Sequence, residues 1–122
     1  MKLQSYLMGE WREGQGEGVP VRDASTGEVL ARVTAEGLPV KEAVASGREV
    51  GGRALLALGF QERGRRLRAL AQYLSERKEA LYRLYATTGG TRRDAWYDVD
   101  GGIGVLYTYS SLARNLPEGN LL

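Results

Sequence analysis

Cysteine and histidine are both absent from the 122 residues. Without cysteine there is neither a disulfide framework nor a thiol nucleophile. Without histidine there is no imidazole base, and the usual nitrogen and sulfur metal ligands are missing altogether. Only Asp94, Asp98 and Asp100 bring carboxylates together at ligand-like spacing. They read as helix-start residues, where negative charge suits the helix dipole, rather than as metal ligands. No apolar run approaches the ~20 residues that cross a bilayer. The opening stretch has neither the apolar core nor the small-residue cleavage site of a secretory signal, so a cytoplasmic protein without membrane association is expected. Lysine is scarce as well, 3 residues against 14 arginines. The net charge of +2 is too small to imply a nucleic-acid partner.

What is present is ordinary globular material. Apolar residues make up 43% and charged residues 26% of the chain, a composition that folds rather than stays disordered. The length suits one domain or part of one. Residues 1–36 read as short strands and turns. Ser5-Tyr6-Leu7-Met8, then Gly9-Glu10, then Trp11 make a strand, a tight turn and a return strand. Gly14, Gly16 and Gly18 predict a flexible loop, Ala24-Ser25-Thr26-Gly27 a turn, and Glu28–Val33 an imperfectly alternating strand. Pro20 favours an edge position.

Residues 39–116 read as helical. Pro39 suits a first helical turn, and Val40, Val44, Gly47, Gly51, Leu55 and Leu58 fall on one face before a stop at Gly59. A second helix carries Phe60, Leu67, Leu70, Leu74, Leu81 and Leu84 as one stripe, with Glu62–Arg66 and Glu79–Arg83 as outward i,i+4 pairs. It ends at Thr87-Thr88-Gly89-Gly90. Thr91-Arg92-Arg93-Asp94 has the form of a capping box and opens a third helix, with Trp96, Val99, Ile103 and Leu106 along one face, running to Asn115. Leu116-Pro117-Glu118-Gly119-Asn120 breaks it. The closing Leu121-Leu122 reads as chain that more structure should follow. The expected class is mainly α: a β-hairpin and short strands followed by three helices.

Three stretches invite a chemical reading. Arg63, Arg65, Arg66 and Arg68 form a basic cluster, but interspersed glutamates and the lack of alternating aromatics favour a solvated helix face. Gly14-Gln15-Gly16-Glu17-Gly18 looks like a phosphate loop, yet a dinucleotide loop must open into a helix, and extended Val19-Pro20-Val21 follows here. Gly101, Gly102 and Gly104 are anomalous inside a helical pattern, since each interior glycine costs ~0.5–1 kcal/mol relative to alanine. They imply either tight packing against another helix or an open wall beside a ligand path.

Taken in order, Met8-Gly9-Glu10-Trp11, Ser25-Thr26-Gly27-Glu28-Val29, Glu62-Arg63 and Thr88-Gly89 resemble the start of the aldehyde dehydrogenase superfamily. Val33–Leu38, Thr91–Trp96 and Asp98–Gly104 are similar to one branch in particular. That branch contains the dehydrogenase half of the bifunctional ring-opening protein of bacterial phenylacetate degradation. The resemblance runs from about Tyr6 to Pro117. It implies an incomplete piece of an α/β dehydrogenase fold, with residues 1–122 forming its amino-terminal segment. The family chemistry it implies uses a cysteine thiolate, NAD(P), a glutamate that activates water and an asparagine in the oxyanion site, here acting on a semialdehyde of a coenzyme A thioester. No catalytic residue and no cofactor ligand carries over to this segment. The resemblance does place Tyr97, Asp98, Gly101 and Gly102 beside the aldehyde access tunnel, where glycines would leave room for a bulky substrate.

Two expectations about partners follow. Leu55, Leu56, Leu58, Trp96, Ile103 and Leu106 exceed what one layer of helices can cover, and each large side chain left out forgoes ~1.5–3 kcal/mol of burial. Self-association, as a dimer or larger, or packing against the rest of a dehydrogenase would cover them. On the residues alone, the competing reading is a self-contained helical assembly module without catalysis.

Overall fold

The computed structural model describes residues 1–119; the end of the last predicted break, Asn120, and the Leu121-Leu122 pair lie outside the described residues. Contacts divide the chain into two units, Met1–Arg53 and Ala54 onward.

In the first unit, β1 (Gln4–Leu7) and β2 (Glu10–Glu13) pair antiparallel, with Leu7 opposite Glu10. The turn is therefore Met8-Gly9, one residue earlier than Gly9-Glu10. Both have positive φ, 54° and 91°, the geometry that matches the twist of a two-residue hairpin. Tyr6 and Trp11 face each other across it with ring centroids 5.2 Å apart. A second antiparallel pair joins β3 (Val19–Arg22) to β4 (Val29–Val33). Its turn is held by Asp23, whose Oδ1 accepts from the Ser25 and Thr26 amides at 2.7 and 3.1 Å. The register slips between Val21 and Arg22, which accounts for the imperfect alternation of β4. Pro20 sits in β3, which pairs with β4 alone among the described residues.

The glycine loop before β3 is held by side chains from either side of it. Lys2 Nζ donates to the carbonyls of Gly14 and Gly16 at 3.2 and 2.8 Å. Arg32 donates to those of Glu17 and Gly18 at 2.9 and 3.0 Å. The loop thus turns carbonyl oxygens toward cations, the opposite polarity from a phosphate cradle, and it opens into a strand. At Gly18, where φ is +73°, a Cβ would stand 2.8 Å from the Val33 carbonyl oxygen.

The expected first helix is α1 (Val40–Ser46) followed by a π-helical turn, Gly47–Gly51; α2 (Gly52–Leu56) carries the chain across the division between the units. The π turn adds a residue to the helical repeat, so the predicted face is not continuous. Val40, Val44, Leu55 and Leu56 are all exposed.

In the second unit the expected long helix is two: α3 (Phe60–Ser75) and α4 (Lys78–Ala86). Arg77, at φ −113° and ψ 12°, breaks them apart. No glycine or proline marks this break in the sequence. Gly59, predicted as a stop, is instead the extended residue before α3. α5 (Arg92–Ala95) begins with the predicted capping box. The Thr91 hydroxyl accepts from the Asp94 amide at 3.2 Å and Asp94 accepts from the Thr91 amide at 2.9 Å. A second π turn, Trp96–Asp100, leads into α6 (Gly101–Leu112), and a 3₁₀ turn, Ala113–Asn115, ends it.

The packed seam is α3 against α6. From the leucine stripe Phe60 and Leu67 line a cavity with Tyr109 and Leu112, but the most buried residues are small. Gly64 and Ala71 of α3 are buried with Ile103, Ser110 and Ala113, and Gly64 lies directly against Ala113 and the Ser110 carbonyl. A Cβ on Gly64 would lie 2.5 Å from that of Ala113, so the missing side chain sets how closely the helices approach. Leu70 and Leu84, expected on the covered stripe, are exposed. Among the described residues no large side chain is fully buried.

Candidate functional site

The four residues assigned to the tunnel lie on the second π turn and the start of α6, with Tyr97 and Gly101, and Asp98 and Gly102, each four apart. Two glycine-dependent features at the end of α4 bring Tyr85 to Asp98. Gly89, at φ +85°, reverses the chain after α4. Any side chain on Gly90 would collide with the Tyr85 ring. With that space open, the Tyr85 hydroxyl reaches forward and donates to Asp98, and the carboxylate raises the pKa of the phenol. Tyr97 is exposed, its ring edge-on to Trp96 at 4.8 Å and beneath the Arg93 guanidinium at 5.9 Å.

Gly101, Gly102 and Gly104 all lie inside a regular helix, and a Cβ on any of them would meet nothing within 4 Å. Tight packing within the described residues is therefore not the reason for these glycines. Their cost to the helix stands against open space.

Asp100 does more than complement a helix dipole. It accepts from the Lys78 ammonium and from the Tyr82 hydroxyl, both on α4. These hydrogen bonds hold its carboxyl below the usual carboxylate range, outweighing partial burial, and push Lys78 and Tyr82 upward. Glu79, expected to pair with Arg83, instead takes both nitrogens of the Arg92 fork at 2.7 and 3.2 Å, which lowers its pKa. The contacts tie α4 to α5 and the π turn around a cavity of 590 Å³ lined by Lys78, Tyr82, Arg92, Arg93, Trp96 and Asp100 with Glu79. Sequence reasoning missed these pairs because the partners stand 13 and 22 residues apart, beyond any helical spacing. Glu62–Arg66 does form as predicted, at 3.1 Å.

Among the described residues no group of three carboxylates is placed to hold a metal ion, and no helix is long and apolar enough to cross a membrane. Of the apolar residues that the helical layer was expected to leave over, Leu55, Leu56 and Trp96 are exposed, Leu58 and Leu106 half-buried and Ile103 buried.

Compared with known proteins, residues 11–121 match the aldehyde dehydrogenase family. Over its whole length the chain is 38% identical to a 3,4-dehydroadipyl-CoA semialdehyde dehydrogenase of Aromatoleum evansii, and it spans 24% of that relative's length.

Proposed function

Because the chain belongs to the aldehyde dehydrogenase family, we propose that it is the amino-terminal part of an NAD(P)-dependent dehydrogenase that oxidises a coenzyme A-thioester semialdehyde in aromatic degradation of the phenylacetate type. The observation that carries this reading is the 38% identity, over the full chain, to a relative named for such a substrate. The segment itself supplies no catalytic group and binds no cofactor. It holds no cysteine, so the thiolate that attacks the aldehyde and the site for the nicotinamide belong to other parts of the polypeptide. The exposed leucines and Trp96 are then faces that meet the rest of the dehydrogenase or a second copy.

Within this reading Tyr97, Asp98, Gly101 and Gly102 line the path of the aldehyde. Open space above the glycines supports that role, and Tyr85 steadies Asp98. The coding sequence beyond Leu122 is the direct test. Continuation into a nucleotide-binding region with a cysteine nucleophile is expected; an unrelated continuation would overturn the reading, and a stop codon would mark the chain as an inactive remnant of such a dehydrogenase. In the complete protein, Gly102→Val should raise KM for a coenzyme A-linked semialdehyde, roughly tenfold if a tight fit is disturbed, and leave that for a short aliphatic aldehyde nearly unchanged. Equal effects on both substrates would remove Gly102 from the tunnel.

A further inference from the structure

The arginines of α3 have a partner from elsewhere in the chain that the sequence did not suggest. Beside the α3–α6 seam lies a groove of 340 Å³, with Arg65 and Arg68 from α3, Arg114 from the turn after α6, and Gln61, Gly64 and Ala113 among its lining residues. Because Gly64 lets the two backbones approach closely, cationic side chains from both helices reach the same floor. Ser110 completes the lining, so the groove's own residues include no carboxylate.

Neutralisation is incomplete. Glu62 is shared by Arg65, at 2.7 Å, and Arg66, at 3.1 Å. Arg68 lies 5.7 Å from the centre of the Tyr107 ring, and Arg114 donates to the Ser111 hydroxyl at 3.2 Å. Neither has an ion pair among the described residues. The floor is apolar where Gly64 meets Ala113. By contrast, the cavity around Lys78 carries two carboxylates, each already bound to a cation.

We propose that this groove binds a small organic anion, with its carboxylate or phosphate head between Arg68 and Arg114 and its apolar body on the Gly64–Ala113 floor. Guanidinium groups hold either head through paired hydrogen bonds, and an apolar body gains from covering the floor. The site is separate from the tunnel face and independent of the dehydrogenase reading.

The test titrates the 122-residue chain with hexanoate and with hexyl phosphate at constant ionic strength, observing arginine side-chain NMR signals. Acetate and inorganic phosphate serve as the bodiless controls. Saturable shifts at Arg65, Arg68 and Arg114 are expected, with at least one hexyl ligand binding several-fold more tightly than its control. The double variant R68Q/R114Q should lose binding by about tenfold or more, as the loss of two charge-assisted contacts implies. The variant R48Q should retain it, and circular dichroism checks that each remains folded. The proposal fails if no saturation appears by about 10 mM, above the millimolar range of a weak site. It also fails if R68Q/R114Q binds as the parent does, if R48Q loses as much, or if the hexyl chains add nothing.

Discussion

The two ends of α6 treat glycine in opposite ways. At its carboxyl end the helix lies against Gly64 of α3, and the absent side chain is filled by Ala113 and the Ser110 carbonyl, which a Cβ would meet at 2.5 and 3.0 Å. At its amino end Gly101, Gly102 and Gly104 face open space. The first glycine is explained by a contact inside the chain. The other three are explained by no contact among the described residues. The same residue type thus sits in a packed contact at one end and beside open space at the other.

The largest effect should come from crowding the packed end. Gly64→Ala gains helix propensity but forces α3 and α6 apart, and overpacking of this kind costs about 1–3 kcal/mol. Urea denaturation should show a lower midpoint, whereas an unchanged or higher midpoint would mean that the seam is looser than described. At the other end the sign reverses. Gly101→Ala or Gly104→Ala, with nothing to collide with, should each stabilise the chain by about 0.5–1 kcal/mol. A loss of stability in thermal melts would show that the face is closed in solution and erase the contrast.

A smaller effect concerns the anchor just before the open end. Asp100 has a depressed pKa in the folded chain, so its contribution is present above the ordinary carboxylate range and fades as pH falls through the folded value. Lys78 has a raised pKa, so its share is complete below the ordinary lysine range and fades as pH rises through the folded value. Asp100→Asn should lower stability between those limits and flatten its decline in acid. An acid limb with the same slope as the parent's would show that the contact is not formed in solution.

Local signals were legible where chemistry and geometry sit within a few residues. The Ala24–Gly27 turn and the Thr91–Asp94 capping box appear where the residue types point, and the first hairpin does so one residue early, at Met8-Gly9 and not Gly9-Glu10. The π turns at Gly47–Gly51 and Trp96–Asp100 were not legible. One extra residue in a turn leaves no mark on composition and shifts every later position around the helix. The break at Arg77 was hidden for a related reason, because the heptad of leucines continues across it from Leu74 to Leu81. In the candidate site, Tyr97, Asp98, Gly101 and Gly102 were located by resemblance. Their supports, Tyr85 on Asp98 and Lys78 with Tyr82 on Asp100, depend on how α4 returns over the π turn, which no local spacing encodes. The bracing of the glycine loop was not legible because Lys2 and Arg32 stand at least twelve residues away from the carbonyls they hold.

The uneven support of α6 also sets how the helix comes undone. Its last turns pack against Gly64 of α3, while its first turn, apart from buried Ile103, joins three residues of high backbone entropy to a widened π turn. Amide protons at Gly101, Gly102 and Gly104 are therefore expected to exchange with solvent sooner than those around Ser110. The glycines thus form a soft stretch between two holds, the α3 seam around Ser110 and the Asp100 contacts to Lys78 and Tyr82.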